Sequence, residues 1–401
     1  MTARSGRTRG FLVVAGIAVA GTAAGHIGAT SAITYAAGGR GGTATAVFLT
    51  IFMIGAGLAT GWTHRVANRW GALTVFLWAQ AGVAVSWALF GIIELVGGST
   101  VVPLFIGAPI FGVFSGMCGV LTPFICRAYV DPASMSRSTA RRGVATGIGA
   151  LVGSAAAGYL IAVTDPGLGV LANGILTVPL LLFVAVAPPV GVRTGGRSGR
   201  ASLRDALAQL RMPSDLRVLA IFAAGFSVLI SPVVSMIVPI LDDMAHTPLP
   251  RGAGLVLAGI AGGRLLVPRV VRRISDPAQE FHAAVRASIW AAAFVIAFGL
   301  AADVPGIDAE IVLWTLAGVG IGVARFTVRP LLIGVASRVA PKGDEVMGVA
   351  LLVLVVTFTS PIGYLAWGLL MDATSATTAM IVYGGLTVVL AGLLSRRLQS
   401  E

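Results

Sequence analysis

Cysteine and histidine are almost missing from this 401-residue chain, which holds two of the first and four of the second. Cys118 and Cys126 share one apolar run at a spacing unsuited to joint action, roughly 12 Å apart along a helix, which excludes a disulfide framework and a thiolate metal site. The histidines are scattered, so no ligand cluster or catalytic constellation forms around them. Charge is scarce too: Asp, Glu, Lys and Arg make up 11% of the chain, and the acids are the rarer sign, 16 against 28. No Walker-type phosphate loop occurs, so ATP is not the evident energy source and no cofactor is expected.

What fills the chain instead is apolar: 56% of residues are hydrophobic and the mean hydropathy is +0.92. A water-soluble protein of this size lacks the polar surface to cover so much, so the chain reads as a membrane protein. A hydrocarbon core roughly 30 Å thick takes about 20 residues of helix. Twelve runs of that kind emerge, near 11–36, 44–63, 71–95, 101–126, 144–163, 168–190, 218–241, 252–270, 288–302, 311–334, 348–371 and 375–394. They are continuously apolar over twice the length of a barrel strand, and they do not alternate, so a membrane β-barrel is excluded. The fold class expected is an all-α bundle of twelve transmembrane helices.

The net charge of +12 points to topology rather than to nucleic acid. Basic residues gather in every second connection: Arg4, Arg7 and Arg9 precede span one, Arg65 and Arg69 follow span two, and Arg127, Arg137, Arg141 and Arg142 follow span four. Arg193 to Arg217 follow span six, Arg269 to Arg286 span eight, Arg338 and Lys342 span ten, and Arg396 and Arg397 span twelve. By the positive-inside rule both termini are expected in the cytoplasm, with the chain integral to the cytoplasmic membrane. The basic start followed by an apolar run imitates a signal peptide, but the run is too long, and it reads as an uncleaved first helix.

The longest polar stretch, 191–216, separates residues 1–190 from 217–401 and reads as a cytoplasmic linker. Within it "SLRDALAQLR" spaces Ser202 and Asp205 as a capping box and Leu203, Leu207 and Leu210 on one face, which predicts a short helix lying on the membrane surface. The halves repeat. A shift of 205 residues lays Gly143-Val144-Ala145 on Gly348-Val349-Ala350 and Gly158-Tyr159-Leu160 on Gly363-Tyr364-Leu365. It also lays Thr22, His26 and Thr30 on Ser227, Ser231 and Ser235, two polar stripes at helical spacing.

Six plus six helices, a long basic central loop and basic loops after spans two and eight resemble the major facilitator superfamily over nearly the whole chain. The loop "TGWTHRVANRWG" resembles that family's motif after span two, keeping Arg65 and Arg69 but placing His64 where the family has Asp. "GGRLLVPRVVRR" resembles the second copy, with Arg264, Arg269 and Arg273. "GALVGSAAAG" in span five resembles the glycine-rich exporter motif, with Ser154 replacing its proline. The resemblance implies alternating access between two six-helix bundles, a path lined by spans one, two, four, five, seven, eight, ten and eleven, and a protein that works as a monomer. Its partners would be a small-molecule substrate, membrane lipid, and a proton or other coupling ion.

Within that frame the polar residues inside spans are the candidates, because ionisable groups in a bilayer are costly and usually face a cavity or a partner. His26 lies roughly 22 Å along span one, where it can carry a proton or simply bond a neighbouring helix. Thr22, Thr30, Ser227, Ser231 and Ser235 can bind substrate or their own helix carbonyls. Arg264 and Arg325 lie roughly 20 Å and 22 Å into spans eight and ten, where two guanidinium groups can hold a carboxylate or serve packing. Arg329, one turn further, can snorkel or pair with Asp344 or Glu345, and with Arg65, Arg69 and Arg269 forms the expected gating set. No Asp or Glu sits at mid-membrane.

The function expected is secondary transport: proton-linked export of a small, largely apolar compound, or alternatively uptake or exchange of a small organic anion. A membrane enzyme lacks its catalytic cluster, and a sensor or scaffold would carry large soluble domains or tails.

Overall fold

The computed structural model describes residues 2–97, 101–130, 135–189, 214–245, 250–271, 273–274, 279–304, 306–339 and 345–399. Among these there is no strand. The helices are α1 Thr2–Ala37, α2 Gly41–Trp70, α3 Ala72–Gly97, α4 Val102–Val130, α5 Met135–Val163 and α6 Pro166–Val186. They continue as α7 Ser214–Leu229, α8 Ser231–Ser235, α9 Ile237–Ala245, α10 Pro250–Val271, α11 Glu280–Leu300, α12 Ile307–Val339, α13 Glu345–Ala373 and α14 Ala376–Gln399.

Eleven stretches among the described residues are long and apolar enough to cross a membrane, and one of them, Gly6–Thr60, runs through both α1 and α2. That stretch folds back on itself at the 3-10 turn Gly38–Arg40, where Gly38 takes φ +55°, so it supplies two spans and the total is twelve. The chain therefore has the expected twelve-helix architecture. The proposed surface helix at Ser202 to Leu210 lies outside the described residues.

Several helices outrun their apolar cores. α5 starts at Met135 rather than near 144, and α11 at Glu280 rather than near 288, because nothing in those polar turns breaks a helix and water can solvate them. α6 stops at Val186, short of the expected 190, because Pro188 disfavours helix at Ala187. The Ala187 carbonyl accepts from the Tyr129 hydroxyl at 2.6 Å. Span seven is not one helix. Pro232 and Pro239 cannot donate a backbone N–H, and the span divides into α7, α8 and α9.

α1 packs on α5 and α6, α3 on α4 and α6, and α2 on α4; the same neighbour relations recur among the last six spans, with α7 on α13 and α14, α11 on α12 and α14, and α10 on α12. Two extensive contacts join the groups, α5 against α10 and α2 against α13, with smaller ones of α1 against α9 and α10 and of α2 against α9. An even number of spans puts both termini at one end of the bundle, called here the terminal face; the other end is the far face.

The groups meet through small residues. A Cβ on Gly158 would lie 2.6 Å from the Gly254 Cα and 2.5 Å from the Pro250 carbonyl oxygen, and one on Gly254 would lie 2.6 Å from the Ser154 carbonyl oxygen. The exporter-like stretch of α5 is thus a packing surface: Gly149 and Gly153 seat the backbone of α1, and Ser154 and Gly158 that of α10. Gly158→Ala should lower stability by about 1–3 kcal/mol through overpacking. Gly119→Ala, where nothing lies within 4 Å, should cost nothing. Thermal unfolding of the two variants in detergent checks this, and equal melting temperatures would show that the crossing has slack.

Candidate functional site

The breaks in span seven create acceptors as well as bends. Pro239 has no N–H to give the carbonyl four residues earlier, which is that of Ser235. His26 of α1 takes this place, its Nε2 standing 3.0 Å from the Ser235 oxygen. A carbonyl only accepts, so Nε2 carries the proton. One turn earlier the Val233 amide bonds Ile230 at 3.3 Å, which frees the Leu229 oxygen, and Trp367 Nε1 donates to it at 3.0 Å.

The rest of the two stripes is mostly consumed locally. Thr22 Oγ1 donates to Ala18 at 3.0 Å and Thr30 Oγ1 to His26 at 2.7 Å, each within its own helix. Ser227 Oγ pairs with Ser360 Oγ at 2.8 Å, and Ser235 Oγ with the Tyr364 hydroxyl at 3.3 Å, which ties span seven to α13. Ser231 begins α8 and is half-buried.

Further contacts join the halves toward the far face. The Asp372 carboxylate, at the end of α13, accepts from the amides of Gly42 at 3.0 Å and Thr43 at 2.8 Å, capping the start of α2 where unpaired N–H groups favour an anion. The Arg251 guanidinium lies over the Tyr159 ring at 5.0 Å. With His26 and the Gly158–Gly254 crossing, these contacts hold spans one, two and five against seven, eight and eleven.

Arginines dominate the opposite half of the bundle. On α10, Leu255 and Leu266 are 44% and 39% exposed and mark the lipid side; Arg264 projects from the other side of the helix. On α12 the lipid side is marked by Val312 and Leu316, 57% and 62% exposed, and Arg325 and Arg329 again point away from it. Both Arg264 and Arg325 lie over the ring of Phe326, at 5.1 Å and 5.3 Å from its centroid. The charge of Arg264 is felt by Arg325, and those of Arg142 and Arg329 act on Arg264, so the four guanidiniums form one electrostatic group. Arg329 is solvent-accessible although its surroundings are largely protein. Among the described residues no carboxylate forms an ion pair with any of the four; the described pair is Arg338 with Glu280, at 2.7 Å.

Of the remaining gating candidates, Arg65, Arg69 and Arg269 are exposed at the terminal-face ends of α2 and α10. Asp344 lies outside the described residues, and Glu345 is described only as the first residue of α13. Arg142 is the member of the cluster that sequence reasoning placed in a loop; the helix-compatible run from Met135 was the available signal.

The family model described as the Major Facilitator Superfamily matches residues 10–324. The chain belongs to the major facilitator superfamily. It is accordingly an integral multi-pass membrane transporter and not an enzyme. Solved superfamily structures carry the same fold. The nucleoside transporter NupG has a TM-score of 0.77 at 13% identity, covering 97% of this chain and 98% of its own. The xylose transporter XylE from E. coli, in an inward open conformation, has a TM-score of 0.72 at 14% identity, covering 96% of this chain and 94% of its own. The human organic anion transporter MFSD10 has a TM-score of 0.67 at 17% identity, covering 96% and 99%. No curated protein sequence matches the chain.

In this superfamily member the far-face contacts should act as a unit. His26→Ala removes the partner of the Ser235 carbonyl, a loss of about 1–3 kcal/mol. Hydrogen–deuterium exchange of the first turn of α2, whose amides Asp372 holds, should then speed up about tenfold. Exchange unchanged from wild type would show that His26 and Asp372 close the face independently.

Proposed function

We propose that this transporter moves a small organic anion by alternating access between residues 1–190 and 217–401, and that Arg264 and Arg325 bind the anion. The observation that carries the reading is the group of arginines on the lipid-averted sides of α10 and α12, without an ion-paired carboxylate among the described residues. Guanidinium groups in such a place attract a carboxylate strongly, because their hydration is reduced and their donors form a fixed fork. The basic loops set the terminal face in the cytoplasm. The conformation with its far face tied shut is then the inward-facing one, and the arginines stand on the cytoplasmic half of the path. The transporter works in the cytoplasmic membrane as a monomer.

This reading is favoured over proton-linked export of an apolar compound. Export drew its support from the apolar spans and the exporter-like stretch of span five, with His26 as a proton carrier; that stretch packs against α1 and α10, and His26 is engaged with the Ser235 carbonyl. Arg65, Arg69 and Arg269, at the terminal-face helix ends, belong to the opposite gate.

Purified protein in liposomes, loaded and tested with acetate, lactate, succinate, citrate, benzoate and phosphate, distinguishes the two. Arg264→Ala and Arg325→Ala should each weaken uptake of the transported anion by about thirtyfold or more, the scale of 2–5 kcal/mol for removing one partner of a buried charge pair. Arg264→Lys should recover part of it. If no anion is carried and an imposed pH gradient drives efflux of an apolar compound that His26→Ala abolishes, the export reading holds instead.

A further inference from the structure

We infer that Phe326 is a positioning residue of the anion site, holding Arg264 and Arg325 side by side so that both guanidiniums reach one anion; the inference rests on the anion reading above. The problem it solves is physical. Arg264 comes from α10 and Arg325 from α12, and their like charges act on each other across the helix crossing. Left alone, two long cationic side chains relieve that repulsion by swinging apart, and side chains with this much rotamer freedom have many ways to do so.

The ring supplies what keeps them together. Both guanidinium carbons lie near its centroid, Arg264 at 5.1 Å and Arg325 at 5.3 Å, within the range where the negative face of an aromatic quadrupole attracts a cation. Phe326 follows Arg325 in sequence but turns about 100° around α12, toward the side that packs on α10. That packing is tight one turn earlier, where a Cβ on Gly263 would lie 2.8 Å from the Val323 nitrogen and one on Gly322 would lie 2.9 Å from the Ile260 Cα. The backbones fix the separation of the two helices, and the half-buried ring stands within reach of both guanidiniums. Nothing in the ring can bond an anion, so its effect is on the guanidiniums and, through them, on affinity.

The test separates the ring's electronic face from its bulk. Phe326→Leu keeps an apolar side chain and removes the π face; Phe326→Tyr and Phe326→Trp keep the face. The anion carried best among acetate, lactate, succinate, citrate, benzoate and phosphate is used for uptake kinetics. Phenylglyoxal labelling of Arg264 and Arg325, read by mass spectrometry, reports the guanidiniums with no ligand present.

Phe326→Leu should raise the half-saturation concentration about tenfold while maximal rate and melting temperature stay near wild type. It should also speed labelling of both arginines, and the Tyr and Trp variants should behave as wild type in both assays. Equal affinity and equal labelling in Phe326→Leu overturn the inference, as does a Tyr variant as weak as Leu. Loss of transport in Arg264→Ala alongside a silent Phe326→Leu would overturn this role alone. Failure of wild-type protein to carry any of the six anions overturns it together with the anion reading.

Discussion

A peptide group inside hydrocarbon must find its hydrogen-bond partner within the protein, because no water is there to supply one. Most of this chain meets the demand with uninterrupted helix. Span seven does not: Pro239 leaves the Ser235 carbonyl without its helical donor, and the rearrangement at Ile230 does the same to Leu229. Both carbonyls accept from side chains of other helices, His26 and Trp367. The partner of Ser235 comes from the other half of the molecule, so one missing amide proton is converted into a contact between the halves. That contact is a single hydrogen bond from a side chain of α1 to a backbone oxygen of span seven.

Helices in lipid gain little from apolar burial against one another, since lipid tails are as apolar as leucine, and close approach of backbones must supply the attraction. This explains the glycines at the crossings between the halves. Gly158 and Gly254 let α5 and α10 touch backbone to backbone, and Gly42 and Gly368 do the same for α2 and α13, where a Cβ on Gly368 would lie 2.6 Å from the Gly42 oxygen. Asp372 lies beside that second crossing and adds two charge-assisted hydrogen bonds to the first turn of α2. Packing and capping thus act at one place, so a displacement that opens the crossing also uncaps the helix.

The features legible in the sequence were those set by local composition. Twelve spans follow from run length; Pro232 and Pro239 signal bending in span seven, but not its division into three helices. Arg264, Arg325 and Arg329 announce themselves as charges within apolar runs. Arg142 does not, because α5 extends through a polar turn that hydropathy counts as loop. Asp372 is, in the sequence, one more acid in a connection opposite the basic loops, and only a contact across 330 residues of sequence makes it a cap. The stripe Thr22, His26, Thr30 shows the opposite error. Its period is real, yet the two threonine hydroxyls turn back on their own helix carbonyls, and a rotamer is not written in spacing.

The arginine group takes its meaning from where the contact between the halves ends. α5 and α10 touch from Gly158 and Gly254 down to Gly147, where a Cβ would lie 2.7 Å from Leu265 Cδ2. Immediately beyond, Arg142 of α5 faces the charge of Arg264 of α10. Small-residue attraction therefore gives way to like-charge repulsion along the same pair of helices, and the crossover lies between the closed far face and the terminal face. Lysine would answer such crowding by losing its proton, whereas guanidinium keeps its charge at neutral pH, so the repulsion persists. What can relieve it is a counter-charge from solution. On the anion reading, an anion held by Arg264 and Arg325 offsets the repulsion that Arg142 exerts on Arg264 across the halves, so the charges that bind the substrate are also those that oppose approach of the two helices.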